Sequence, residues 1–351
     1  DKVRHVMERE RLDALLLKGM ENIFYLSGFR GSEGSLLVTA HDTVLLTDFR
    51  YITDARASAL VTEVVELSAG TNVLPELCAR HKVRRLGFDS IHVTYDLFRR
   101  LQETLDGIEL VPVGLPVEEI RKRKDGDEIA LIEKAVAIAT DAFLKTLDML
   151  VQGSTEKELA AFLDYGMRKG GAEQPSFETI VASGYRAALP HAVPTDRKIG
   201  KGETIIFDFG AQVDGYCSDE TCTVSIGRLD DDMEKIFTIV NDARKFGIDA
   251  VKAGVPVKDV DMVGRGHIEK HGYGDYFRHS TGHGVGAAVH EAPAINSLAE
   301  GLLAEGMVVT IEPGVYIPGK GGVRLEDLVL VEESGARVLT KIRKDAIHLS
   351  I

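Results

Sequence analysis

Single acids set inside long apolar runs constrain this chain more than any other feature of its sequence. Glu203–Ala211 reads ETIIFDFGA, a strand-like run interrupted by one acid, Asp208. An unpaired carboxylate among Ile205, Ile206, Phe207 and Phe209 is costly to bury, so an ordinary surface strand accounts for it poorly. Asp214-Gly215 follows, a dipeptide suited to a two-residue hairpin turn, and Tyr216–Ile226 (YCSDETCTVSI) returns. That turn sets Asp208 opposite Thr221 and diagonal to Asp219, all on one face. The arrangement recurs further on. Met307–Glu312 (MVVTIE) runs out, Val323–Val331 (VRLEDLVLV) returns, and a turn centred near Gly319 sets Glu312 opposite Glu326. Carboxylates converging in a core repel one another unless cations neutralise them. Oxygen donors suit Mn2+ or Mg2+, and an added imidazole moves the preference towards Mn2+, Fe2+, Co2+ or Zn2+. His283, within His279–His290 (HSTGHGVGAAVH), is the imidazole candidate because the glycines beside it permit close approach.

The surrounding pattern is that of two domains, for which 351 residues suffice. Val3–Asp13 reads as a charged amphipathic helix and Ala14–Leu17 as a short apolar strand. Ser35–Thr39 and Thr43–Thr47 flank His41-Asp42 as the arms of a hairpin. Leu60–Leu67 and Leu86–Asp89 read as strands, Val73–Lys82 and Tyr95–Leu105 as helices. Residues 1–116 are therefore expected to form an α/β domain. The stretch Glu118–Glu128 (EEIRKRKDGDE) reads as a solvated linker or helix start, with the linker at 117–126. Helical spacing then marks Asp127–Val151, Thr155–Gly170, Met233–Ala253 and Val257–His271. Ser154 or Thr155 is the N-cap of the second of these, with Glu158 in the capping-box position. Residues 127–351 are expected to be α+β, with helices covering an antiparallel sheet.

Several function classes are disfavoured. A net charge of −13 argues against nucleic acid or an anionic membrane as the main partner. The three cysteines, Cys78, Cys217 and Cys222, form no disulfide framework and suit a reducing compartment. No signal-peptide pattern occurs, and the longest apolar runs are too short to span a bilayer. Gly314–Lys320 (GVYIPGK) imitates a phosphate loop, but Gly321 stands where Ser or Thr should hold Mg2+. His267 and His271 in HIEKH do not form the zinc-protease motif, and no G-x-S-x-G elbow is present.

The blocks IVASGYRAALPHAVPTD, IIFDFGAQVDGYCSDETCTV, HSTGHGVGAAVHEAP and TIEPGVYIPGKGGVRLEDLVLV together resemble the pita-bread metallopeptidases, and within them the proline-specific branch of aminopeptidase P and prolidase. They run in the family order across essentially the whole second domain. The resemblance implies an α/β N-terminal domain followed by an α+β pita-bread catalytic domain. It implies two divalent metal ions, most simply Mn2+, with Asp208 chelating one, His283 and Glu312 the other, and Asp219 and Glu326 bridging them. Such an enzyme uses a hydroxide held between the metals to attack the scissile carbonyl, with Glu312 as acid–base group. His191, His279 and His290 match accessory histidines that hold substrate and stabilise the oxyanion. Arg324, Tyr316 and Arg50 are the further substrate-binding candidates. One departure stands out: the family often has Thr-Arg-Thr where this chain has Thr221-Cys222-Thr223, which predicts altered packing on the face away from Asp219.

Methionine aminopeptidases lack such an N-terminal domain, and creatinase-like relatives have lost the metal ligands. The proline branch is thus favoured, and with it a cytoplasmic homodimer acting on proline-containing peptides. Prolidases usually carry an added loop and a basic residue for the substrate carboxylate, whereas Gly28–Ser35 (GFRGSEGS) is short. Asp48-Phe49-Arg50-Tyr51 resembles a D-x-R-Y motif of small bacterial aminopeptidases P. The expectation is therefore an Xaa-Pro aminopeptidase, with an Xaa-Pro dipeptidase as the alternative. A catalytically dead peptide-binding module and a hydrolase of non-peptide C–N bonds are more remote; intact ligands oppose the first, and substrate trials separate the second.

Overall fold

One short, fully apolar run, Ala14–Leu17, marks the inner strand of the sheet in the first third of the chain, because a strand buried on both faces cannot alternate with polar residues. The computed structural model describes residues 2–68, 72–114, 116–345 and 347–349. It divides the chain into two units, Asp1–Arg121 and Lys122–Ile351. The first unit runs α1 (Lys2–Glu10), β1 (Ala14–Leu17), α2 (Met20–Ser27), β2 (Ser35–Thr39), β3 (Thr43–Asp48), α3 (Ile52–Ser58), β4 (Glu63–Leu67), α4 (Leu74–Arg80), β5 (Arg85–Asp89), α5 (Tyr95–Thr104), β6 (Glu109–Val113) and α6 (Glu118–Arg121). Its mixed sheet has the order β4-β3-β2-β1-β5-β6. Every residue of β1 is buried, as its inner position requires. Helices α2 and α3 were not expected from the sequence: each is eight residues or fewer, too short for the apolar period to show. Strand β6 carries Pro112 and lies at the edge of the sheet, where a missing N–H is tolerated.

The charged stretch leading into the second unit is less solvated than its composition suggests. Arg121 and Lys124 are only 5% and 6% exposed. Arg121 donates to Asn22 Oδ1, and Lys124 pairs with Glu291, so the charges are buried because they have partners. The expected helix start is present in the same stretch. Asp125 and Glu128 form a capping box that opens α7 (Gly126–Met149). Thr155 and Glu158 form another for α8 (Glu156–Lys169).

The second unit continues with β7 (Gln174–Pro175), β8 (Ile180–Ser183), β9 (Thr204–Phe209), β10 (Ala211–Val213), β11 (Tyr216–Cys217) and β12 (Glu220–Ile226). Helices α9 (Asp231–Ala250) and α10 (Val257–Lys270) follow. Then come β13 (Gly282–Gly284), β14 (Glu291–Ile295), β15 (Val308–Ile311), β16 (Gly314–Ile317), β17 (Gly321–Arg324), β18 (Asp327–Glu332), β19 (Gly335–Val338) and β20 (Ile347–Leu349). The expected single antiparallel sheet is divided among β20-β12-β9-β8, β14-β13-β15-β18-β19, β11-β10-β7 and β16-β17. Among the described residues of this unit the pairs are antiparallel except β12 with β20.

Strand alternation decides which side chains leave the core. Phe207 and Phe209 pack on Phe143 of α7, with ring centroids 5.4 and 4.9 Å apart, and Asp208 between them must face the other way. Cys222, Val224 and Ile226 share that core, which sends Thr221 and Thr223 to the face of Asp208. Val309 and Ile311 pack with Val257 and Val260, leaving Thr310 and Glu312 opposite. Val323 and Leu325 pack with Ile236, Phe237 and Val240 of α9, leaving Arg324 opposite. Burial of each large apolar side chain is worth roughly 1.5–3 kcal/mol. The polar residues between them are therefore presented by the core, not by their own preference.

Candidate metal centre

The first carboxylate pair is set by a hairpin whose register never slips. Asp214 and Gly215 take φ of +48° and +80°, and Val213 pairs with Tyr216. The ladder continues through Glu220 opposite Phe209 and Thr221 opposite Asp208. It is interrupted between, where a Cβ on Gly210 would lie 2.0 Å from Ser218 O, so only glycine permits that approach. Asp219 emerges at this break and is 4% exposed.

The second pair forms where β15–β18 gives way to the β16–β17 hairpin. Ile311 pairs with Asp327 and Gly314 with Arg324, which brings Glu312 and Glu326 across from each other between the two ladders. Glu312 N–H donates to Thr281 O at 2.7 Å, and Glu326 N–H to Thr221 O at 3.1 Å. The second bond, with Thr223 Oγ1 donating to Arg324 O at 2.7 Å, joins the two hairpins. Thr221 Oγ1 also donates to Glu326 Oε2 at 2.6 Å and accepts from Arg324 Nε at 3.2 Å. Sequence reading placed Thr221 opposite Asp208 but gave it no task; its place in the alternation with Asp219 was the available signal.

His283 arrives on β13, between β14 and β15. The glycines beside it serve those strands, since Cβ atoms on Gly282 and Gly284 would lie 1.9 Å from Thr310 O and 2.3 Å from Ala292 O. His283 Nδ1 lies 3.1 Å from Gly284 O, a carbonyl that can only accept, so the proton sits on Nδ1. Nε2 is left with its lone pair, 3.5 Å from Asp219 Oδ2 and 3.4 Å from Glu312 Oε1. Ligand atoms of Asp219, His283 and Glu326 all lie within 4.8 Å of one another.

Three carboxyl groups and one imidazole nitrogen thus converge on one point. Burial, then the charge of Glu326, raises Asp219 well above the ordinary carboxylate range. Burial, then Glu312, does the same to Glu326, and burial lifts Glu312 to about 7. Burial and neighbouring His290 push His283 down to about 4. These directions describe a cluster that suits protons or cations and little else. Carboxylates with one neutral imidazole, its other nitrogen tied to a carbonyl, fit a first-row divalent metal. Asp208, Asp219, His283, Glu312 and Glu326 are the residues that could hold it.

The proposed substrate residues fare differently. Arg324 is buried and makes four hydrogen bonds: it donates to Asp208 Oδ2 (2.5 Å), Pro190 O (3.1 Å), Tyr316 OH (2.9 Å) and Thr221 Oγ1. It braces the carboxylate of a candidate metal ligand, and one of its five N–H groups, on Nη2, is not used in these bonds. His279 Nδ1 lies 2.8 Å from Ser280 O and Nε2 lies 3.0 Å from Tyr316 OH. Burial, then Arg324, lowers its pKa to about 4, so the ring is neutral and its one proton is spent on Ser280. His279 thus lies between the Ser280 carbonyl and the Tyr316 hydroxyl, beside Arg324. Tyr316 is buried, bonded to both His279 and Arg324. His290 is exposed with its ring centroid 4.3 Å from that of His283, and His191 is exposed. Arg50 lies in the first unit, where it clasps Asp48 at 2.6 Å and flanks the Tyr51 ring.

Cys222 lies on the face away from Asp219, where Lys344 reaches its Sγ at 3.2 Å and pairs with Glu220. All three cysteines are buried, with no disulfide among the described residues. A second histidine–carboxylate group, Asp89, His92 and Glu118, occurs in the first unit. Its atoms are committed locally: Asp89 Oδ2 accepts from His92 Nδ1 at 2.7 Å, and Glu118 Oε1 from Asn22 at 2.7 Å.

Comparison with known proteins agrees with this geometry. The profile of Metallopeptidase family M24 matches residues 130–333, and that of the Creatinase/Prolidase N-terminal domain matches residues 1–123. The Xaa-Pro dipeptidase of Pyrococcus horikoshii is 36% identical over 349 residues, covering 99% of this chain and 97% of its own. The structure of an Xaa-Pro dipeptidase from Bacillus anthracis superposes with a TM-score of 0.94 at 37% identity, covering 99% of this chain and 98% of that one. An X-Pro aminopeptidase structure from Thermotoga maritima gives 0.90 at 37% identity, covering 99% and 100%.

Proposed function

This chain belongs to metallopeptidase family M24, and on that premise we propose that it is an Xaa-Pro dipeptidase, hydrolysing the bond between the two residues of dipeptides that end in proline. The observation that carries the reading is the full-length match to relatives described as Xaa-Pro dipeptidases. It favours the alternative over the expected aminopeptidase, which leaned on the short Gly28–Ser35 segment and on Asp48-Phe49-Arg50-Tyr51. The dipeptidase of P. horikoshii is matched over 97% of its own length, so a long added loop is no requirement for that description. The aminopeptidase reading is kept as the second, on the strength of the T. maritima structure.

In this reading Asp208, Asp219, His283, Glu312 and Glu326 hold two divalent cations, Mn2+ first, with Co2+, Zn2+ or Fe2+ as the other candidates. Bound there, the pair would polarise the scissile carbonyl and lower the pKa of an attacking water. The protein's own part is proton handling and placement. The Glu312 carboxylate would accept the proton of the water and return it to the proline nitrogen, which leaves only as a protonated amine. Arg324 and Thr221 hold Asp208 and Glu326 in register. His191 and His290, exposed beside the cluster, contact the substrate. No described helix is long and apolar enough to cross a membrane. We place the protein in the cytoplasm as a homodimer, the first on its cysteines and the second on the resemblance.

The test is turnover of matched substrates by Mn2+-loaded protein: Ala-Pro against Ala-Pro-Ala. Preference for the dipeptide by about tenfold or more in kcat/KM, ~1.4 kcal/mol, is expected. The reverse preference makes the protein an aminopeptidase, and cleavage of neither removes the proline reading.

A further inference from the structure

Glu156 is a fully buried acid outside the metal cluster, and nothing in the chemistry above uses it. It is the first residue of α8, yet its carboxylate does not cap that helix. Oε1 accepts from Ser183 N–H (2.8 Å) and Ser183 Oγ (2.9 Å). Oε2 accepts from Arg186 Nε (3.0 Å), Thr195 N–H (3.0 Å) and Thr195 Oγ1 (2.7 Å). One carboxylate therefore ties both ends of the segment 184–195. Inside the segment Arg186 also donates to Val193 O at 2.6 Å. The segment's far side meets the metal-site strands. A Cβ on Gly322 of β17 would lie 2.2 Å from Ala187 O, and Pro190 O accepts from Arg324, which grips Asp208. His191 sits next to Pro190, exposed and outside any helix or strand.

We propose that Glu156 is a positioning residue that closes the 184–195 loop, in which Pro190 O accepts from Arg324, and that it acts on turnover by placing His191. Only a carboxylate suits the position. Five donors converge on it, whereas a glutamine amide would turn two hydrogens of its own towards some of them. Losing charge-assisted bonds at a buried site frees the loop before it unfolds the protein, because the α8 core and the capping box at Thr155 do not depend on them. The role assigned to His191 rests on the peptidase reading; the loop closure does not.

The experiment compares Glu156→Gln in the native background and in His191→Ala, reading kcat/KM on Ala-Pro, bound Mn2+ and amide hydrogen exchange. Exchange across 184–195 should rise about tenfold, with exchange in α7 and β9 unchanged. Turnover should fall about tenfold in the native background and less than about twofold in His191→Ala, with bound metal unaltered. Equal losses in both backgrounds, loss of metal in step with activity, or unchanged exchange in the loop would each overturn the proposal. If Glu156→Gln does not fold, Arg186→Met removes one of the five bonds to Glu156 together with the bond to Val193 O, both ties of the same loop, and must give the same pattern. If the native protein leaves Ala-Pro intact, the peptidase reading fails, and the exchange result alone decides whether Glu156 holds the loop.

Discussion

Asp219 shows what a buried carboxylate does when its neighbours are also acids. Its charge is opposed by burial and by Glu326, Asp208 and Glu312, and is favoured by Arg324. Without cations that repulsion is a cost to the fold; with them it becomes the binding energy. Asp219→Asn separates the two situations because it keeps the shape and removes one charge. In metal-free protein the substitution should leave the melting temperature unchanged or raise it. The increase that Mn2+ gives the native protein should disappear, and turnover should fall by at least roughly a hundredfold, since even outer partners of metal ligands cost 10–100-fold. Thermal melts with and without Mn2+ check this, and a full Mn2+-dependent gain in the variant would remove Asp219 from the ligand set. Arg324 is the complementary case. Sequence spacing put it on the face of Glu326, but could not tell a side chain reaching for substrate from one already spent on Asp208, Tyr316 and Thr221.

At the scale of elements, β13 depends on the two glycines that flank its histidine. A methyl group on Gly282 would lie 1.9 Å from the Thr310 carbonyl, a backbone atom that cannot rotate away. Gly282→Ala should therefore push β13 off β15 and carry His283 from Glu312. The expected cost is about 1–3 kcal/mol of overpacking, together with weakened metal binding. Denaturant melts and metal titration check it; unaltered Mn2+ affinity would mean His283 is not seated by this strand. Elements of this kind were legible in part. The Asp214-Gly215 turn and the alternation around Asp208 lie within a few neighbours of each other, and both ladders of the first hairpin follow from them. The division into several sheets was not legible, because it depends on which strand edges meet across long separations. Nor was Glu156, whose partners lie about 30–40 residues away, at positions where serine, arginine and threonine read as ordinary loop.

At the scale of the whole molecule, all five candidate ligands belong to Lys122–Ile351 and none to Asp1–Arg121. They come from three separate stretches of chain: the β9–β12 hairpin, β13, and the β15–β18 pair. A cation binding them links segments about 120 residues apart in sequence, so it must oppose every opening that separates those stretches. Stabilisation by a ligand at a hundred times its dissociation constant is about 2.7 kcal/mol, which slows exchange through such openings by about a hundredfold. Amide exchange with and without Mn2+ should accordingly show protection gained in residues 204–226, 282–284 and 308–328. Residues 2–68 contribute no ligand and should exchange at the same rate in both conditions. Protection confined to one of the three stretches would contradict a shared centre. Equal protection in the first unit would mean that the two units open together, and that metal binding in one governs the stability of both.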